Sequence, residues 1–84
     1  MKVNSETKLL GIIGYPIGHS LSPILHTMLA KKYDLNYVYL AFEVLPSMLK
    51  NIKDAILTFN IRGLNVTIPY KEKIIPYLDK IDKL

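Results

Sequence analysis

The chain of 84 residues is long enough for one small domain and too short for a large one. Half of its residues are hydrophobic and 21% are charged, a balance typical of a folded globular chain and not of a disordered one. Cysteine is absent, which excludes disulfides and thiolate metal sites, and no apolar run approaches the roughly 20 residues of a membrane span. The lack of cysteine, together with the lack of an apolar leader after Met1, favours a cytoplasmic location.

The net charge of +4 comes from 11 basic and 7 acidic residues, and the lysines are scattered along the chain. Scattered lysines are typical of solvated helix faces, so we expect a function without nucleic acid or membrane partners. A positive field of this size does favour a small anionic ligand.

The first half of the chain is predicted to form a strand, a helix and a second strand. Residues 9–13 are a short apolar run ended by Gly14, as in strands that are buried on both faces. Ser22 and Pro23 predict a helix start, with Ser22 as the N-cap. Residues 37–44 are rich in aromatic and β-branched side chains and predict the second strand. The apolar residues of the helix recur at helical spacing: Ile24, Leu25, Met28 and Leu29.

The second half is predicted to form a helix, a third strand and a third helix. Pro46 opens a helix with an apolar stripe at steps of three and four, and a turn at residues 60–63 leads into a strand at 64–68. The third helix is expected from about Tyr70, with Pro76 breaking or kinking it. The β-α-β-α-β-α order predicts one α/β domain of three layers, a small parallel sheet flanked by helices.

Two polar segments follow the first and third predicted strands, at residues 14–23 and 65–71. Because parallel strands end at one shared edge, and ligands bind outside that edge, we expect both segments to converge on one small molecule. Ser20 and Ser22 lie where a helix begins, and hydroxyls beside the positive end of a helix dipole suit a carboxylate or phosphate. The alternative is that Ser22 only caps the helix and Ser20 is solvated.

The second segment offers an amine and two hydrogen-bonding side chains. Lys71 is expected over the same sheet edge, where it can orient a hydroxyl or exchange a proton with one. Asn65 and Thr67 lie two apart on a strand, so both can face one side and bind a polyol. The residues alone leave open that Lys71 is an ordinary surface lysine and that Asn65 satisfies turn backbone. No metal site is expected around His19, since nothing near it has metal-ligand spacing. The glycines here do not match the dinucleotide fingerprint: Gly11, Gly14 and Gly18.

Together the two segments resemble the signatures of the amino-terminal, substrate-binding domain of shikimate dehydrogenase. The first stands here as Gly14-Tyr15-Pro16-Ile17-Gly18-His19-Ser20-Leu21-Ser22-Pro23 and the second as Asn65-Val66-Thr67-Ile68-Pro69-Tyr70-Lys71, both without a gap. The family reversibly reduces 3-dehydroshikimate to shikimate with NADPH, in chorismate and aromatic amino-acid biosynthesis. The resemblance therefore implies an oxidoreductase of this pathway, with shikimate and 3-dehydroshikimate as its small-molecule substrates.

The resemblance also implies a role for each matched residue. Ser20 and Ser22 would hold the substrate carboxylate through their hydroxyls. Thr67 would hydrogen-bond the ring hydroxyls, with Asn65 positioned near them. Lys71 would be the catalytic lysine, acting on the group that changes oxidation state. These roles agree with the chemistry, since a charged amine beside a developing alkoxide stabilises it and can supply a proton.

The family's catalytic aspartate, a further substrate asparagine and its NADP-binding domain lie downstream of the matched part. Residues 1–84 are therefore expected to be an incomplete substrate-binding domain that binds no NADP itself and is inactive alone. Two alternatives stay open: a stand-alone binding module for a small hydroxylated carboxylate, and a family member that prefers quinate or uses NAD. An unpaired sheet edge in so short a chain is expected to promote self-association.

Overall fold

The computed structural model describes residues 2–77, which form a three-stranded parallel sheet with helices on its faces. In chain order the elements are β1 (Lys8–Gly14), α1 (Ser22–Lys32), β2 (Tyr37–Glu43), a 3-10 segment (Pro46–Asn51), α2 (Ile52–Thr58), β3 (Ile61–Val66) and a 3-10 turn (Ile75–Tyr77). This confirms the predicted α/β class with its alternating order and parallel sheet. Over the described residues, no helix has the length and apolar character needed to cross a membrane.

The core has two parts, one on each face of β1. Ile13, which is 1% exposed, packs with Leu49 and Ile52 on the face that α2 covers. Its neighbour Ile12 points to the other face and packs with Tyr39, near α1. Successive side chains of a strand point to opposite faces, so a central strand must be apolar at every position to fill both layers. The prediction that the first strand is buried on both faces is confirmed.

The strand order is β2-β1-β3, with β1 in the middle. After β1 the chain passes through α1 to β2, and it then crosses back over the opposite face to pair β3 with the other side of β1. The segments that leave β1 and β3 lead to opposite faces of the sheet, because α1 lies beside Tyr39 while Tyr70 packs with Ile13 and Ile52. In open parallel sheets a crevice forms at such a switch in strand order, outside the carboxyl ends of the strands.

The third strand occupies Ile61–Val66, so the predicted range of 64–68 is wrong by about three residues at the start. The turn is made by Asn60, which has a positive φ of 51°, and not by Gly63. Gly63 lies within the strand, where an added Cβ would come 2.8 Å from Cδ2 of Leu10. Glycine at this position therefore reflects close packing against β1, a cause that the sequence pattern does not distinguish from a turn.

The helical predictions need two corrections. The helix predicted from Pro46 is divided into the 3-10 segment Pro46–Asn51 and α2, Ile52–Thr58. The helix expected from Tyr70 is wrong over residues 70–77, which form turns and the short 3-10 element containing Pro76. Proline lacks the amide hydrogen that a continuing helix needs. The remainder of that prediction, residues 78–84, lies outside the described residues.

Candidate functional site

A cavity of about 330 Å³ opens at the carboxyl edge of the sheet, between the ends of β1 and β3. Its lining comes from the two predicted segments and from β1 itself: Ile12, Pro16, Ile17, His19, Ser20, Ser22, Thr67 and Ile68. The cavity therefore brings Thr67 together with Ser20 and Ser22, although Thr67 lies 45 positions after Ser22 in the sequence. The topology predicts this convergence. Its size is at the lower end of small-molecule pockets, which run from about 300 to 1,000 Å³.

Backbone hydrogen bonds hold the two segments together beyond the last residues of the strands. The amide of Thr67 donates to the carbonyl of Ile13 at 3.0 Å, and the amide of Tyr15 donates to the carbonyl of Ile68 at 3.3 Å. These two bonds continue the β1–β3 ladder into the loops. The cavity wall is consequently fixed by the main chain and does not depend on side-chain packing alone.

Gly14 allows this close approach. A Cβ built at Gly14 would lie 2.6 Å from Cγ2 of Thr67, 3.0 Å from Cδ1 of Ile17 and 3.1 Å from the carbonyl oxygen of Ile68. Only a residue without a side chain leaves room for Thr67 at this place. The sequence pattern identifies Gly14 only as the end of a strand. The structure adds that Gly14 packs directly against Thr67 and Ile68.

The two serines occupy the start of α1, but the capping prediction for Ser22 is wrong. Helix α1 begins at Ser22, its N-cap residue is Leu21, and no side chain caps it. Instead, the hydroxyl oxygen of Ser20 accepts a hydrogen bond from the amide of Ser22 at 3.2 Å. A serine two residues earlier thus satisfies the first amide of the helix, because the loop folds back through the bond from the Ser20 amide to the Ile17 carbonyl at 3.0 Å.

The electrostatics at this end of α1 favour an anion. Ser22 is the first helical residue and also lines the cavity, so the amino terminus of α1 borders it. The first turn carries no acidic residue, and the last turn carries Lys31 and Lys32. The positive end of the helix dipole is therefore uncompensated by protein charge within α1. Since the Ser20 oxygen accepts from a backbone amide, its own hydrogen is left to donate to a ligand.

Asn65 lies beside the cavity without lining it. It pairs with Ile12 across the β1–β3 ladder, and its side chain shares the sheet face of Thr67, as the two-residue spacing predicted. Its amide nitrogen Nδ2 donates to the hydroxyl of Tyr39 at 2.7 Å. The alternative in which Asn65 only satisfies turn backbone is not what the structure shows, because its bond goes to a side chain on another strand.

Lys71 remains at the carboxyl edge of the sheet, outside the residues that line the cavity. The amide of Tyr70 donates to the carbonyl of Thr67 at 3.0 Å, closing a turn directly after β3, and Lys71 follows with an exposed side chain. Two buried residues bracket it, Tyr70 at 1% and Ile74 at 3% exposure. The backbone around Lys71 is therefore anchored, while its side chain is exposed.

The anchor at Tyr70 is a buried phenol whose hydroxyl donates to the carbonyl of Val44. Burial raises the pKa of the Tyr70 hydroxyl above its ordinary value of 10.0, and the neighbouring Tyr15 adds to the rise. The phenol thus stays protonated at neutral pH and keeps its donor bond. This bond links the segment after β3 to the segment after β2.

Three residues at the site were missed by the sequence reasoning. Glu43, at the end of β2, accepts a hydrogen bond from the amide of Ile17 at 3.3 Å and so braces the serine loop. The other two are His26 of α1 and Tyr39 of β2, whose rings stack with their centroids 4.0 Å apart. The alternation of Tyr37 and Tyr39 along β2 indicates a shared face, but nothing in the sequence shows what that face meets.

The fold and cavity define an α/β domain that opens a hydroxyl-lined, anion-favouring cavity at a switch in strand order. The family model described as the shikimate dehydrogenase substrate binding domain matches residues 12–84. The chain belongs to this family.

Similar proteins agree with this assignment. A curated shikimate dehydrogenase (NADP(+)) from Syntrophomonas wolfei is 56% identical over 81 residues, which are 96% of this chain and 28% of the relative. A crystal structure of a shikimate dehydrogenase in complex with NADP+ superposes with a TM-score of 0.92 and 51% identity, covering 98% of this chain and 29% of that one. The Listeria monocytogenes shikimate 5-dehydrogenase, solved with shikimate and NAD, gives a TM-score of 0.86 and 44% identity over 94% of this chain and 27% of its own. The chain thus spans less than a third of the length of these relatives.

Proposed function

We propose that this chain is the substrate-binding portion of a shikimate dehydrogenase, which reversibly reduces 3-dehydroshikimate to shikimate with NADPH. The observation that carries the proposal is the cavity between β1 and β3, in which Ser20, Ser22 and Thr67 of the two signature segments meet. The substrate is a small cyclic acid, and the volume of about 330 Å³ suits a molecule of that size. We also propose a cytoplasmic location, for which the absence of cysteine is the support.

The substrate carboxylate is assigned to the serine side of the cavity. The Ser20 hydroxyl keeps its hydrogen for a ligand, and over residues 2–77 the Ser22 hydroxyl has no hydrogen-bond partner within the protein. Two hydroxyl donors beside the positive end of α1 form charge-assisted bonds with a carboxylate. Such bonds contribute about 1.5–3 kcal/mol each, enough to orient the acid within the cavity.

The ring hydroxyls are assigned to the β3 side, with Thr67 in the cavity wall and Asn65 beside it. Lys71, which follows the turn after β3, is assigned to the carbon that changes oxidation state. A protonated amine there stabilises the developing alkoxide and supplies the proton that accompanies hydride transfer during reduction. In oxidation the same amine, when neutral, accepts the hydroxyl proton.

Among residues 2–77, the turn between β1 and α1 does not fit NADP. The glycines of the β1–α1 turn lack the dinucleotide spacing, and the amide of Ser22 at the start of α1 already donates to Ser20. We therefore propose that the cofactor is bound by a separate domain of the protein and that residues 1–84 are an incomplete substrate-binding domain. One observation also favours the second candidate, a binding module without turnover: the cavity contains groups for binding an acid and none for binding a dinucleotide.

A titration of the ¹⁵N-labelled chain with shikimate tests the proposal. We expect chemical-shift changes at backbone amides of residues 17–25 and 65–71. The Ser22→Ala variant should bind about tenfold more weakly, because it loses one charge-assisted bond. Ser47→Ala is the matched control, since Ser47 is an exposed serine in the 3-10 segment on the other side of the sheet. Quinate added in parallel distinguishes the quinate-preferring alternative.

Two results would contradict the proposal. One is the absence of any shift at millimolar shikimate. The other is a set of shifts centred away from the cavity, for example at the 3-10 segment, with Ser22→Ala and Ser47→Ala equally affected.

A further inference from the structure

A buried tyrosine connects the outer strand β2 to the proposed substrate-binding strand β3. Tyr39 pairs with Leu10 on β1, and Asn65 pairs with Ile12 on the other side of β1. The Tyr39 ring therefore lies across the central strand, 4% exposed, and its hydroxyl accepts from Nδ2 of Asn65 at 2.7 Å. Neighbouring strands are about 4.8 Å apart, so a phenol is one of the few side chains long enough to span the central strand.

The ring of Tyr39 is itself held in place. His26 of α1 stacks on it with the ring planes 3° apart and the centroids at 4.0 Å. The hydroxyl of Tyr37 donates to the backbone carbonyl of His26 at 3.1 Å and lies 3.4 Å from its Nδ1. The Tyr37 hydroxyl therefore contacts both the backbone and the ring of His26 and helps to hold that ring in place. Tyr39 is thus fixed on one side by α1 and on the other by Ile12.

In the structure the bond to Tyr39 uses the donor end of the Asn65 amide. A primary amide has a donor end and an acceptor end, and a half turn exchanges them. With Nδ2 engaged by Tyr39, the oxygen Oδ1 remains as the acceptor. A substrate hydroxyl can donate to an oxygen, whereas a ketone in the same place cannot.

We propose that Tyr39 is a positioning residue of the substrate site, which holds the Asn65 side chain in place beside the cavity. The proposal rests on the function proposed above. His26 contributes by keeping the phenol in place, and α1 thereby connects the serine side of the cavity to the β3 side.

The first test needs no ligand. The Tyr39→Phe variant keeps the ring and its stacking and removes only the hydroxyl. We expect the side-chain NH₂ resonances of Asn65 to move towards those of a solvated amide, with the backbone amides of β1 unchanged. Tyr33→Phe is the matched control, since it removes the hydroxyl of a tyrosine that is 59% exposed and follows α1. In the unmodified chain, nuclear Overhauser contacts between the Tyr39 ring edge and the Asn65 NH₂ protons report the same bond without any substitution.

The second test measures shikimate affinity. Tyr39→Phe should weaken binding about fivefold, and Tyr33→Phe should not. In an Asn65→Ala background, Tyr39→Phe should have no further effect, because a positioning residue acts only through the group it positions.

The outcomes separate this inference from the proposed function. If the unmodified chain does not bind shikimate, the proposed function is overturned, while the ligand-free resonances still decide whether Tyr39 holds Asn65. If the chain binds shikimate and Tyr39→Phe leaves the Asn65 resonances or the affinity unchanged, the positioning role is overturned. Equal losses from Tyr39→Phe in both backgrounds would assign Tyr39 to general stability instead.

Discussion

At the scale of single residues, Gly14 decides how closely the ends of β1 and β3 approach. In Gly14→Ala the new methyl group would meet Cγ2 of Thr67 at 2.6 Å and the backbone oxygen of Ile68 at 3.1 Å. Because backbone cannot move aside cheaply, we expect a loss of about 1–3 kcal/mol in the free energy of unfolding and a loss of shikimate binding. Urea unfolding and the shikimate titration measure the two effects.

The chain provides a matched control for this substitution. Gly18 lies in the same loop, and a Cβ built there meets no atom within 4 Å. Gly18→Ala should therefore leave stability within about 0.5 kcal/mol of the unmodified chain. Equal effects of the two alanines would show that loop flexibility, and not the contact with Thr67, sets the requirement for glycine at position 14.

Tyr70 makes stability depend on pH in the alkaline range. Burial raises the pKa of its hydroxyl above 10.0, so between the unfolded and folded pKa values the folded state holds a proton that the unfolded state has lost. This contribution is fully present below pH of about 10 and is lost as the pH rises through the folded pKa. We expect the urea concentration at half unfolding to decrease as the pH is raised above about 10. The decrease should be smaller in Tyr70→Phe. Tyr33→Phe, at a tyrosine that is 59% exposed, should retain the full pH dependence.

The residue types and spacing were sufficient to predict the part of the site formed by main-chain topology. Ser20, Ser22 and Thr67 meet because parallel strands end at one edge, and this follows from the β-α order alone. The partner of Asn65 could not be predicted, since it depends on how far the Tyr39 side chain reaches across β1. The assigned roles of Lys71 and the serines stay predictions.

At the scale of elements, α1 is attached to the sheet through a narrow contact. Ile24, Leu25 and Met28 recur at helical spacing, yet each is more than half exposed, and Ala30 is the buried residue of the helix. Helical spacing shows which residues share a face, but not whether another layer covers that face. Sequence spacing likewise does not show which residues pack closely across strands. Gly63 was therefore assigned to a turn, although it packs against Leu10 within β3.

Because α1 contacts the sheet at few residues, we expect one substitution in α1 to destabilise the fold and another to have little effect. Ala30→Leu adds three carbon atoms where 1% of the surface is exposed, so we expect a loss of about 1–3 kcal/mol in the free energy of unfolding. Met28→Lys, at a residue that is 64% exposed, should change it by less than about 0.5 kcal/mol. Thermal unfolding of both variants measures the difference. Equal destabilisation would mean that the outer face of α1 is covered in solution.

At the scale of the whole molecule, both outer strands present unpaired edges. β2 and β3 each pair with β1 on one side, and within residues 2–77 no strand pairs with their other sides. Unpaired backbone groups of this kind recruit strands from other chains. We expect the 84-residue chain to self-associate through an edge, with sedimentation equilibrium showing a concentration-dependent mass. The association should persist when Ile24→Glu and Met28→Lys remove apolar surface from α1. A monodisperse monomer would contradict the prediction, and loss of association in the double variant would assign it to α1.

If the cofactor is bound by a separate domain, as proposed, this chain should bind shikimate without oxidising it. Its cavity offers hydroxyls for an acid, while the β1–α1 turn has neither the glycine spacing nor a free first amide for a dinucleotide. Lys71 can move a proton, but oxidation also requires an acceptor held against the ring to receive the hydride. We expect no formation of NADPH from NADP+ and shikimate by residues 1–84, under conditions in which the full-length Syntrophomonas wolfei relative serves as the positive control. NADPH formation by the isolated chain that disappears in Lys71→Ala would show that these residues alone hold both reactants.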